Sequence, residues 1–314
     1  NTSGASAVSA ECSVASPPSL PVVKPGACQC EEMSPTVDKA RPRSSSETVR
    51  RVMAAVVFLP IFYILVHDLG PIAFFGLVAL SGMLAVAEFY RLHLAQAPWP
   101  WWSWAGVVAT GLLLSSIQWP TIVADRTVLI ATVVMALCMP LLSGKALRDS
   151  LNDGMVLVMG VLYIGLLLGY LLLIRAMPDG ALLIFFVVLV TWAADTGAYI
   201  AGKSVGRHPL APVVSPKKTY EGLAGGILLA CLGAVAARAW FLPSISLVDC
   251  LVLGVILTLA GLIGDLAESA MKRSTGFKDS GALIPGHGGM LDRLDSLLFT
   301  GPAFYYYVAI VTTV

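Results

Sequence analysis

Residues 154–174 read GMVLVMGVLYIGLLLGYLLLI, and no charged side chain interrupts them. A bilayer's hydrocarbon core is about 30 Å thick and takes roughly 20 helical residues to cross. A helix that is apolar all round has no face to offer water. Working outward, eight further apolar segments run over Val52–Val66, Pro71–Phe89, Trp101–Ile117, Val128–Leu142, Ala181–Ile200, Gly222–Leu242, Leu247–Gly264 and Leu297–Val314. The first and fourth are short. The chain is 57% apolar and 12% charged, about half the charged fraction of a soluble domain. The expected fold is an all-α integral membrane protein with about nine transmembrane helices.

Charge provides an independent test of this segmentation. Nine crossings divide the connections into two sets. One set holds the N-terminal tail, Tyr90–Pro100, Ser143–Asp153, Ala201–Glu221 and Asp265–Ser296, and it carries nearly all the Lys and Arg. The other holds only Arg126 and Arg175, with Arg238 inside a segment. Positive residues stay on the cytoplasmic side, so the first set is expected to face the cytoplasm, together with any site built from it. Net charge is only +1, which offers no field for nucleic acid. Residues 1–49 are rich in Ser, Pro and Ala without apolar periodicity, and are read as a disordered tail ahead of a polytopic membrane domain over 50–314. Glu11, Glu31 and Glu32 weigh against an organelle transit segment. The six cysteines form no framework: Cys28 and Cys30 have no matching pair, and Cys138, Cys231 and Cys250 lie in apolar blocks.

Most of the polar chemistry falls in two cytoplasmic connections. The longer begins Gly264-Asp-Leu-Ala-Glu-Ser-Ala-Met-Lys-Arg and ends His287-Gly-Gly-Met-Leu-Asp-Arg-Leu-Asp-Ser296. If the eighth helix continues past Gly264, Asp265, Ser269 and Lys272 share one face, with Arg273 beside them. Lys278 and Asp279 lie between the helical stretches. Gly286, Gly288 and Gly289 flank His287, and glycines let backbone N–H groups approach an anion closely. Asp292 and Asp295 follow three residues apart, again on one helical face, with Arg293 between them. Carboxylates without soft competitors favour Mg²⁺ over zinc. The second connection contains Ser215-Pro-Lys-Lys-Thr-Tyr-Glu221, read as a loop in which Lys217 and Lys218 bind phosphate while Ser215, Thr219 and Glu221 assist. Asp195 lies inside the sixth segment, where a carboxylate is costly and marks a site or an ion pair. Each feature also has a plainer reading. Border lysines are commonly topology markers, His287 can simply hydrogen-bond a loop, the glycines can simply make turns, and Asp195 can pair with Lys203 or Arg207. Glu88 and Arg91 read as an ordinary helix-end pair.

Taken together, Ser269, Lys272, Arg273, Lys278, Asp279, Gly281, Pro285, His287, Gly288, Gly289, Asp292, Arg293 and Asp295 resemble, with spacing intact, the diagnostic motif of the phosphatidate cytidylyltransferase family. Ser215-Pro-Lys-Lys-Thr, Glu221-Gly222, Asp195-Thr196 and Tyr199 also look like family features. The resemblance covers roughly Arg50 to the C-terminus. It implies transfer of a cytidylyl group from CTP to phosphatidate, giving CDP-diacylglycerol and pyrophosphate at a cytoplasm-facing site in a multi-helix membrane fold. It also implies Mg²⁺ dependence, with a second, monovalent or divalent, cation left open, and it allows a homodimer.

Under that reading Asp265 and Asp292 hold metal, with Asp295 or Asp195 assisting. Lys217, Lys218, Lys272, Arg273 and Lys278 hold phosphates, and Asp279 belongs to the catalytic set. Ser269, Gly288, Gly289 and Arg293 line the substrate, and His287 positions it or manages a proton. The expected setting is a plasma membrane, with an organelle membrane as the alternative, and membrane lipids as surroundings. Three rivals are weighed. A CTP-dependent polyprenol or dolichol kinase would release CDP. A CDP-alcohol phosphotransferase would need an Asp-Gly and Ala-Arg pairing that is absent here. An ion-coupled transporter would place its charges near mid-membrane.

Overall fold

The computed structural model describes residues 59–93, 100–122, 124–276 and 289–312. The tail expected over 1–49 lies outside these, as do Lys278, Asp279, His287 and Gly288. The elements in chain order are α1 (Leu59–Asp68), α2 (Gly70–His93), α3 (Trp101–Gln118), α4 (Asp125–Leu142), α5 (Leu147–Arg175), α6 (Gly180–Val205), β1 (Pro209–Ala211), β2 (Ser215–Thr219), α7 (Tyr220–Trp240), α8 (Leu247–Ser274) and α9 (Leu291–Thr312). Every apolar segment that lies within the described residues falls on a helix. Among the described residues seven helices are long and apolar enough to cross a membrane: α2 and α4 to α9. α1 is too short. α3, with its three Trp, three Ser and terminal Gln, is less apolar than the rest.

Burial is arranged for a lipid solvent. Aromatic side chains such as Phe74, Phe89, Tyr90, Phe186 and Phe304 fill the interior, while Leu80, Val108, Ile130, Leu137, Leu232 and Ile310 point outward. Outward apolar faces on so many helices suit acyl chains and would be a liability in water. Trp102, one of four tryptophans clustered over residues 99–104, is buried against Tyr90, with ring centroids 5.8 Å apart. Trp101 and Trp104 do face outward.

The long antiparallel pair α6–α7 forms because small residues let the backbones meet. A Cβ on Gly197 would lie 2.8 Å from the Cβ of Leu229 and 3.0 Å from the carbonyl carbon of Gly225. α8 starts with a full capping box. The Ser246 hydroxyl accepts from Asp249 N at 3.1 Å, and the Asp249 carboxylate accepts from Ser246 N at 3.3 Å. Tyr307 of α9 donates to the same carboxylate at 2.7 Å, tying α9 to the start of α8. The 28 residues of α8 span about 42 Å at 1.5 Å per residue, more than the hydrocarbon core requires. The surplus leaves room for its last turns, with Lys272 and Arg273, to lie beyond the lipid core. α8 runs on past Gly264 and α9 starts ahead of Leu297, so both flanks of the polar motif are helical.

α9 has no Ser, Thr, Asp or Asn at the residue before its first turn. Its first amide is held from elsewhere: Leu291 N donates at 2.9 Å to Glu88 of α2, a carboxylate that is 2% exposed. The sequence reading of Glu88 as a partner of Arg91 misses this, because the relation is 203 residues long. Replacing Glu88 with Ala strands a buried N–H, which costs about 1–3 kcal/mol. Glu88→Ala is expected to lower the unfolding temperature in detergent, and Glu88→Gln, which keeps an accepting oxygen, to recover most of it. An unchanged transition for Glu88→Ala would mean that Leu291 finds another acceptor.

Candidate active site

α8 carries Asp265, Glu268 and Lys272 on one face, because steps of three and four residues return to the same side of a helix. α9 brings Asp295 alongside. The approach depends on Gly264: a Cβ there would lie 2.9 Å from Phe299 Cδ2 and 3.2 Å from the backbone carbon of Asp295. Asp265, Glu268 and Asp295 each offer a carboxylate oxygen, and the three lie within 4.8 Å of one another. Three like charges so close repel strongly unless cations sit among them.

Two lysines supply part of that charge. Lys218 Nζ lies 2.5 Å from Asp265 Oδ2. Lys272 Nζ donates to Glu268 Oε2 at 2.9 Å and to Asp292 Oδ1 at 2.6 Å. Glu268 is 1% exposed, and its other oxygen, Oε1, is buried without a hydrogen-bond donor among the described residues. A hard carboxylate oxygen left bare beside two more carboxylates is what an oxygen-seeking divalent cation would use. The donor set therefore fits Mg²⁺, and it includes no thiolate or imidazole among the described residues.

Asp292 shares Lys272 with Glu268. One oxygen binds Lys272 and the other accepts from Gly289 N at 2.9 Å, so it orients the lysine and the start of α9 while Glu268 joins Asp265 and Asp295. Asp195 of α6 is within electrostatic reach of Asp265 and Lys218. Together with Thr191, Lys217 and Thr258, these residues line a cleft of about 280 Å³ between α6, α7, α8 and β2.

Ser215-Pro-Lys-Lys-Thr, read from sequence as a loop, is the second strand of a small antiparallel hairpin with β1. Strand alternation turns neighbouring residues to opposite faces. Lys217 is thus exposed at the cleft mouth while Lys218 is half-buried against Asp265. Thr219 uses its hydroxyl to cap α7, accepting from Gly222 N at 3.1 Å. Glu221 closes the base of the hairpin, accepting from the amides of Arg207 (3.1 Å) and His208 (3.3 Å) and facing His208 Nδ1 at 2.6 Å. Ser269 sits half-buried on α8. Arg273 and Arg293 lie exposed near the facing ends of α8 and α9. Glu268 escaped the sequence reading although its spacing, three after Asp265 and four before Lys272, places it on their face.

Comparison with known proteins identifies the family. Residues 49–311 match the Cytidylyltransferase family. The chain is 34% identical over 265 residues to a phosphatidate cytidylyltransferase of Bacillus subtilis (strain 168), covering 82% of this chain and 95% of that protein. It is 32% identical over 260 residues to the protein of the same name from Staphylococcus haemolyticus (strain JCSC1435), covering 81% and 95%. For the Staphylococcus aureus (strain COL) protein, also so named, the figures are 34% over 269 residues, 81% and 95%. With similarity running from α1 through α9, across the whole carboxylate and lysine cluster, this chain belongs to the cytidylyltransferase family.

Proposed function

We propose that this chain is a phosphatidate cytidylyltransferase, joining CTP and phosphatidate into CDP-diacylglycerol with release of pyrophosphate. The observation that carries the reading is the pairing of three convergent carboxylates with Lys218 and Lys272, next to a cleft that Asp265 and Lys218 line. This is a site for anionic phosphates that a lipid can reach from the side, in a chain about one-third identical to enzymes of that name.

The reaction forms one P–O bond and breaks another. A phosphate oxygen of phosphatidate attacks the α-phosphorus of CTP, the bond from that phosphorus to the bridging oxygen breaks, and pyrophosphate leaves with the electron pair. The attacking phosphate is already ionised near neutral pH, so no strong general base is needed. Asp265, Glu268 and Asp295 would hold Mg²⁺, and Asp195 stands close enough to Asp265 to assist or to serve a second cation. The chemistry supplied there when Mg²⁺ is bound is neutralisation of the triphosphate and alignment for in-line displacement. Lys218, freed from Asp265 as a phosphate arrives, holds that phosphate as charge develops. Lys217 attracts the nucleotide at the mouth. Lys272 keeps Glu268 and Asp292 in place. Lys278, Asp279 and His287 remain assigned by resemblance, His287 to positioning.

Reading the whole first apolar segment and α3 as crossings, beside the seven long helices, gives nine. With that topology the distribution of Lys and Arg supports a cytoplasmic site, and the bacterial relatives support a plasma membrane. The test uses CTP labelled at either the α or the γ phosphorus, with phosphatidate and Mg²⁺. Label from the α position in the lipid product, and from the γ position in pyrophosphate, is the expected result. Label from the γ position in the lipid would make the chain a lipid kinase.

A further inference from the structure

Tyr163 is a buried polar group with no part in the mechanism above. Its side chain belongs to a residue 5% exposed, and its hydroxyl has no hydrogen-bond partner among the described residues. In an apolar interior such a donor is costly, so its retention calls for an acceptor.

The backbone around it is shaped to aim it. Val161–Leu166 forms a π-helical turn inside α5, a feature that needs a local cause and often accompanies function. The cause is Tyr90 of α2. Its ring presses on Gly160, where a Cβ would lie 2.5 Å from Cε1, and its hydroxyl donates to the Leu157 carbonyl at 3.0 Å. That carbonyl is the one Val161 N approaches at the end of the preceding α-helical stretch. A side chain inserted into the ladder there widens the next turn. The widened turn sets the Tyr163 ring beside Phe89 of α2 (6.1 Å between centroids) and Phe299 of α9 (6.3 Å). Phe299 is the same side chain that abuts Gly264, next to Asp265. The phenol accordingly lies within electrostatic reach of Glu268 most strongly, then Asp295 and Asp265. Near the α8–α9 contact there is thus both a bare donor, Tyr163 Oη, and a bare acceptor, Glu268 Oε1.

We propose that Tyr163 contacts substrate, donating its phenolic hydrogen to a phosphoryl oxygen seated against Asp265, Glu268 and Asp295. The proposal rests on the cytidylyl-transfer reading. The oxygen belongs either to the nucleotide or to the lipid headgroup, and both present the same chemistry to a phenol.

Tyr163→Phe keeps the ring and its packing and removes only the hydroxyl. The expected result is a fall in kcat/KM of about 10- to 100-fold, the range of a hydrogen bond to a charged group. The unfolding temperature should be unchanged or higher, because an unpaired donor has gone. A raised KM for CTP alone assigns the oxygen to the nucleotide, and a raised KM for phosphatidate alone assigns it to the lipid. A fall in kcat alone assigns it to the oxygens that gain charge in the transition state. All constants within about twofold of the parent would overturn the proposal. If the parent protein transfers no cytidylyl group, the function reading fails first. Equilibrium binding of CTP with Mg²⁺, and of detergent-dispersed phosphatidate, then decides separately. Weakening of either by about tenfold in Tyr163→Phe upholds the contact, and equal binding removes it.

Discussion

Asp265→Asn is expected to lower cytidylyl transfer by about 10³-fold or more, in a protein that still folds. The change keeps size and hydrogen-bonding capacity and removes one negative charge. Three consequences follow from the geometry. The trio that would hold Mg²⁺ loses one of its three anionic oxygens. Lys218, 2.5 Å away, loses its counter-ion and with it the restraint that aims it into the cleft. The charge balance around Asp195 also shifts, since Asp195 sits within reach of both. Loss of metal-assisted charge stabilisation and of a positioned cation together account for several orders of magnitude. Stability should change little, because relief of the like-charge contact with Asp295 offsets the loss of the Lys218 pair. The measurement is turnover in detergent alongside thermal unfolding. Full activity with an intact fold would remove Asp265 from the metal site.

Lys272→Met is expected to damage the fold as well as the activity. The ammonium group bridges Glu268 on its own helix and Asp292 on α9, and its side chain is only 13% exposed. Removing the cation leaves two carboxylates facing each other in a site with little water. Breaking a buried pair by deleting one partner costs about 3–5 kcal/mol, and here one cation serves two partners. The α8–α9 contact should loosen, so Asp295 would drift from Asp265 and activity would fall below one part in a hundred. Pairing the change with Glu268→Gln removes one of the stranded charges and should recover part of the stability without recovering turnover. If Lys272→Met unfolds at the parent temperature, the bridge contributes nothing to stability.

The contrast between these residues and Glu88 or Tyr163 explains what sequence alone could reach. Helices α2 and α5 to α9 follow directly from apolar length, because a bilayer imposes that length on any chain that crosses it. Asp265, Lys272, Asp292 and Asp295 were accessible because they lie within one motif whose 3.6-residue periodicity places them on two helix faces. Which carboxylates converge was not accessible, since it depends on the rotation of α9 against α8 at Gly264. That rotation brings Glu268 to Asp295 and sends Asp292 to Lys272. The hairpin was missed because β2 is only five residues, contains Pro216 and carries two lysines, a composition that reads as loop. Glu88 and Tyr163 were out of reach for a different reason: their meaning comes from α2 and α5 packing against α9, far away in sequence.

The most direct test of the account is a product count. Purified protein in detergent is given CTP labelled in the cytidine, phosphatidate and Mg²⁺, and lipid-linked cytidine and pyrophosphate are measured in the same reaction. The account predicts that both appear, in equal amounts, and that both disappear when the divalent cation is chelated. A folded preparation that forms no lipid-linked cytidine, or forms it without matching pyrophosphate, would contradict it.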